Sequence, residues 1–171
     1  MTIAERVTGV LRLDAAAFEE IEADRSATPQ ALAIVIAGSL VYGLGSGAQA
    51  GPAEMVYQTL ISVVGWILWG AVTYVVGAIL LPEPETQSDL GELLRVLGYS
   101  WAPNLFSSLA LATGPQRLLS TVIELWIMSA MVVGVRQALD YRSTFRAVAV
   151  VLSGLLVFVL ITEIAGDQGA P

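Results

Sequence analysis

The chain has no cysteine and no histidine among its 171 residues. Without cysteine there is no disulfide, thiol nucleophile or thiolate metal site. Without histidine the commonest metal ligand and the commonest general base are missing too. Any metal site would have to be all-oxygen. Lysine is also absent, so all eight basic residues are arginine, a compositional habit of GC-rich bacterial genomes rather than a functional mark. Charged residues make up only 13% of the chain, against about 25% in soluble domains. Fifteen acids leave a net charge of −7, and nothing resembles the basic stripe of a nucleic-acid binder. There is no Ser/His/Asp set, phosphate loop, metal-spaced ligand cluster or pair of intramembrane aspartates. Neither an enzyme nor a metal or cofactor is expected.

Apolar residues are what the chain has in excess: 56% are hydrophobic, with a mean hydropathy of +0.73. The expected fold is all-α, a polytopic membrane protein built as a five-transmembrane-helix bundle. The spans fall at about 31–48, 55–81, 93–113, 118–135 and 144–164, within a membrane domain over 29–166. A short amphipathic cytoplasmic segment, 1–28, precedes them and a tail, 167–171, follows. About 30 rather polar residues come before the first apolar run, so no secretory signal sequence is expected.

Within 1–28, Ile3, Val7, Val10 and Leu11 share one helical face, with Glu5, Arg6 and Arg12 elsewhere. Asp14 is placed to cap a second helix carrying Phe18 and Ile21. This segment either lies on the membrane surface, serves as a docking arm, or packs on the protein's own cytoplasmic loops. Thr28-Pro29 reads as the start of the first span. Ser39, Gly43 and Gly47 then recur every four residues, a stripe that admits a neighbouring helix of the same chain or of a second copy. The second span has no charge from Met55 to Leu81 and must tilt or protrude. Trp66 and Trp69 near its middle are expected between helices, with a quinone or lipid contact as the alternative.

The third span is the least regular, with Arg95 at its entrance and Tyr99 and Pro103 within it. Proline bends a spanning helix and frees a carbonyl. The segment either kinks, with Ser100, Asn104, Ser107 and Ser108 bonded to neighbours, or forms a discontinuous helix lining a cavity. Arginine placement tests the span count. With five spans and a cytoplasmic N-terminus, seven arginines lie inside and only Arg117 outside; with a re-entrant third segment the split is five to three. The positive-inside tendency favours five spans with the C-terminus outside, in a bacterial inner membrane.

Glu124 interrupts the fourth apolar run about 9 Å from its outer end at 1.5 Å per residue. An intramembrane charge costs about 2.5–3.5 kcal/mol on insertion scales, so it should face protein or water. Ser62, Tyr42, Ser107 and Ser108 fall at comparable depth. Glu124 is either a neutral carboxyl bonded to such hydroxyls or a proton- or cation-binding carboxylate. On the inner side Glu92, Arg95, Arg136 and Asp140 should approach one level and form an interhelical charge cluster, which could alternatively dock headgroups or a partner.

The run Arg95-Val96-Leu97-Gly98-Tyr99-Ser100-Trp101-Ala102-Pro103 resembles the third-helix signature of the Yip (Ypt/Rab-interacting protein) family in its bacterial branch. Trp126, Val135-Arg136-Gln137-Ala138-Leu139-Asp140-Tyr141 and Arg146-Ala147 resemble the fourth helix and following loop of the same branch. Eukaryotic members are membrane adaptors for small GTPases. The Asp-Leu-Tyr-Gly-Pro motif of their first helix is replaced here by Val41-Tyr42-Gly43-Leu44-Gly45. The resemblance therefore implies a fold and a membrane address. The expected function is a non-catalytic scaffold, adaptor or accessory subunit of a membrane complex. Its partners would be the lipid bilayer and other membrane subunits or a second copy, not nucleic acid. The alternative is a small transporter or channel using the broken third helix and Glu124.

Overall fold

A capping box starts the chain: Thr2 Oγ1 accepts from the Glu5 N–H at 3.3 Å and Glu5 Oε2 from the Thr2 N–H at 2.7 Å. It opens α1 (Ile3–Leu11), which Leu13 closes from the left-handed region at φ 58°. The Asp14 N–H then bonds the Gly9 carbonyl at 2.9 Å and the Leu13 N–H that of Val10 at 3.0 Å, satisfying the last turn. Asp14 caps α2 (Ala15–Ala23) through the Ala16 N–H, as its position in the sequence suggested. In this computed structural model residues 1–45, 51–107 and 116–167 are described, and their regular structure is entirely helical.

Five longer segments follow. Helix α3 (Ala27–Gly45) begins one residue before Thr28, with Pro29 in its first turn. Helix α4 (Pro52–Tyr74) continues as a π-helix over Val75–Leu80. Helix α5 (Leu90–Tyr99) is short and is followed by a 3₁₀ segment, Ala102–Phe106. Helices α6 (Gln116–Ala138) and α7 (Thr144–Asp167) complete the set. Pro52–Leu80 and Arg117–Ala138 are long and apolar enough to cross a membrane; Ala27–Val41 and Thr144–Val157 are shorter apolar stretches among the described residues. The expected third span is thus more than kinked. Its α-helix ends at Tyr99, and Pro103, which has no N–H to continue the ladder, sits in the tighter 3₁₀ turn. Its remainder, with Ser108, lies outside the described residues.

Short as it is, α5 occupies the middle. It packs against α2, α3, α4 and α6, while α7 closes the outer ring between α4 and α6. Leu93, Val96, Leu97, Gly98 and Tyr99 are all buried there. Gly98 lets α3 come so close that a Cβ would strike Ala31, and Gly154 on α7 lies directly against the Trp69 indole. Trp66 donates from Nε1 to the Leu94 carbonyl at 3.0 Å, so both tryptophans do sit between helices.

The N-terminal helices belong to the same core. Val10, Phe18 and Ile21 are buried, and α2 lies against both α5 and α6. At one end of the bundle the α4–α5 loop is bonded to the α6–α7 hairpin. Thr86 Oγ1 donates to the Leu139 carbonyl at 2.8 Å, the Arg142 N–H to Glu83 Oε2 at 2.9 Å, and Arg142 Nη2 to Glu85 Oε1 at 2.5 Å. Helix α6 runs toward this end from Gln116, about 33 Å away along its axis. Leu90 and Gln116 therefore lie toward opposite ends of the bundle.

Candidate functional site

Arg6 was expected away from the apolar face of α1, yet it is only 2% exposed. Its position explains this: Ile3, Arg6 and Val10 are three and four residues apart, so Arg6 points into the same seam. There its charge is fully met. Nε and Nη2 bond the two Glu20 oxygens at 2.7 and 2.8 Å, Nη2 also reaches Asp24, and Nη1 donates to Gln30 Oε1 at 2.9 Å. The same Gln30 oxygen accepts the Tyr99 hydroxyl from α5. One buried guanidinium thus ties α1, α2 and α3 together, with Tyr99 attaching α5. The Arg6 charge holds the Glu20 carboxyl down at about 2, while Asp24 is lowered to about 2 by Ser26 and by Arg6.

The second polar region lies at the looped end. Glu19, Glu22, Glu85, Arg136, Gln137, Asp140 and Tyr141 line an open hollow of about 490 Å³. Arg95 is 4% exposed and donates from Nε at 2.9 Å, and from Nη2, to the backbone carbonyl of Glu22. The Glu22 carboxylate gets no such partner: its Oε2 is buried without a hydrogen bond. Burial first, then the like charges of Asp140, Glu92 and Glu19, push that carboxyl up to about 8, against the opposing pull of Arg95.

The four residues expected as a charge cluster surround this region without pairing among themselves. Glu92 forms a capping box with Asp89, each accepting from the other's N–H at 2.9 Å. Arg136 donates to the Tyr141 carbonyl at 3.2 Å. Asp140 takes the left-handed cap of α6 at φ 51° and accepts the Gln87 N–H at 3.4 Å. These side chains serve helix ends and loops first, because backbone groups left open at helix termini are the nearest partners.

Glu124 does not face the bundle interior: it is exposed on α6. Pro103 is buried in the 3₁₀ segment, and Ser39 is buried with its hydroxyl on the Val35 carbonyl at 2.7 Å. Gly43 is helical, while Gly47 lies outside the described residues. Sequence reasoning missed Arg6, Gln30, Glu22 and Tyr141. Arg6 could have been found from its place in the apolar stripe, and Gln30 from standing one residue after the proline that opens the first span. Glu22 gave no local signal, and Tyr141 stood only as the end of a family-like run, since their roles depend on segments far away in the chain. The Tyr141 hydroxyl lies 2.8 Å from the carbonyl oxygens of both Gly77 and Leu81, at the π-helix that ends α4.

No match is found among curated proteins, nor among solved structures. The family model described as the Yip1 domain matches residues 8–164, which takes in α2 to α6, most of α7 and the last part of α1. That family and the apolar helices suggest membrane association, and they are compatible with a non-catalytic membrane protein. The chain belongs to the Yip1 domain family.

Proposed function

We propose that the chain is a non-catalytic scaffold or accessory subunit of a membrane complex in a bacterial inner membrane. Five segments cross the bilayer, with the N-terminus cytoplasmic and the C-terminus outside. The observation that carries this reading is how the polar groups are spent. The buried side chains Arg6, Arg95, Tyr99, Trp66 and Ser39 bind other helices or their own backbone, while α4 presents exposed apolar residues from Val56 to Leu81. The interior works as a fastening and the exterior as a surface for lipid or for other subunits. The seven-to-one arginine split and the placement of Leu90 and Gln116 toward opposite ends of the bundle support the span count.

Among the described residues, the break at Ser100 to Pro103 favours a transporter. Glu124 weighs against it, because an ion-coupling carboxylate should line an interior path and this one is exposed. Purification in mild detergent with mass spectrometry of co-eluting chains tests the reading. A stoichiometric membrane partner or a defined homo-oligomer is expected. A solitary chain whose melting temperature shifts with a particular cation would favour transport instead. A tag fused after Pro171 and found in the cytosol would overturn the orientation.

A further inference from the structure

The apolar surface differs in height on opposite flanks. On one flank α4 is uncharged from Met55 to Leu81 and exposes Val64 and Ile67 midway, 52% and 44% accessible. On the other, α6 exposes Leu118, Val122 and Leu125, and no large apolar side chain farther along this helix is exposed. Beyond Leu125 the α1–α2 hairpin lies along α6. Trp126 Nε1 donates to the Leu11 carbonyl at 3.0 Å, and Gln137 Nε2 to Glu19 Oε1 at 3.0 Å. Those two bonds are about 16 Å apart along the helix. The hairpin turn beside Trp126 exposes Arg12 and Asp14, and α6 exposes Glu124 and Ser129 nearby.

The two flanks can be set in register, because Gly77 of the π-helix packs on Leu139 at the end of α6. Ile67 and Ser129 each lie ten residues back from that contact, about 15 Å, and Val64 and Trp126 each lie thirteen back, about 20 Å. At one depth, then, α4 shows isoleucine and valine while the opposite flank shows serine and a charged turn, with Glu124 two residues farther out. Exposed charges stay out of hydrocarbon. The exposed apolar belt on the α6 flank, Leu118 to Leu125 with Glu124 at its inner end, is therefore about 10 Å tall, roughly a third of a ~30 Å layer.

Granting the membrane reading above, we propose that the chain is a wedge toward lipid. Its α4 flank spans a full bilayer, and its α1–α2–α6 flank draws the bilayer thin, with water reaching Ser129 and the α1–α2 turn. The bilayer partner it fits is accordingly a thinned or bent one.

The absence of cysteine makes the test direct. Single substitutions Ile67→Cys, Leu156→Cys, Ser129→Cys and Arg12→Cys are spin-labelled and reconstituted into dioleoyl phosphatidylcholine vesicles, with folding checked by circular dichroism. Collision rates are then measured with oxygen, enriched in lipid, and with a water-soluble nickel chelate. The expected result is oxygen-dominated relaxation at positions 67 and 156, and a nickel-chelate rate several-fold higher at 129 and 12. Lipid-like behaviour at 129 and 12 overturns the wedge while leaving the membrane reading intact. Shielding from both reagents at 129 and 12 also overturns it, in favour of a protein contact. Water-like behaviour at 67 and 156 overturns the membrane reading itself.

Discussion

Arg95 grips the backbone carbonyl of Glu22 at 2.9 Å and leaves that residue's own carboxylate oxygen Oε2 buried without a hydrogen bond. The carboxyl is pushed up to about 8 from an ordinary value of 4.5, so the folded chain holds its proton more tightly than the unfolded chain does. Stability from this group is complete below about pH 4.5 and is lost as pH rises through 8. We expect Glu22→Gln to melt higher than wild type at pH 9, by roughly 1–2 kcal/mol after allowance for solvent screening, and to differ little near pH 5. Thermal melts in detergent micelles across that range check it. Parallel curves for the two proteins would refute the assignment.

Arg6 acts in the opposite pH window. Glu20 and Asp24 are held down near 2, so their contribution is present above the ordinary carboxylate range and disappears as pH falls toward 2. Arg6→Met keeps much of the volume and removes the charge. The expected loss at pH 7 is roughly 2–3 kcal/mol, below the 3–5 of a fully buried pair because the two acids keep about a third of their side chains in water. The variant should also lose its extra sensitivity between pH 4 and 2.

Tyr141 places its single hydroxyl proton between two carbonyls of α4, those of Gly77 and Leu81. Tyr141→Phe keeps the ring in place and removes the bond. We expect a loss of about 1–2 kcal/mol, together with faster amide exchange confined to residues 75–81. Exchange unchanged in that stretch would mean that the π-helix stands without the hydroxyl.

Leu13 holds a left-handed conformation at φ 58° that suits glycine far better than a branched side chain. Its side chain is partly exposed and forms little of the core. Leu13→Gly should therefore raise stability by about 0.5–1 kcal/mol. A decrease would show that the leucine contributes contacts outweighing the strain.

Much of the helical layout was legible because it follows from local rules. Asp14 opens a helix where its chemistry suggests, and the apolar run Met55 to Leu81 becomes helix near its expected bounds, starting three residues early at Pro52. The third segment was read as irregular from Pro103 and proved to change helix type. What could not be read locally depends on distant pairings. Glu92 looked like a partner for Arg95, but the nearer open N–H of Asp89 claims it. Arg6 looked like part of a solvated face until Glu20, Asp24 and Gln30 converged on it. Glu124 was expected to face inward on the assumption that hydrocarbon surrounds all of α6, and it is exposed.

The bond between Leu11 and Trp126 spans 115 residues of chain. Synthesis proceeds at about 5–20 residues per second, so α1 and α2 emerge roughly 6–20 s before their seat on α6 exists. Throughout that interval Phe18 and Ile21 have nothing of their own chain to rest against on that side, and assembly begins at the ribosome with its first two helices still waiting for the sixth.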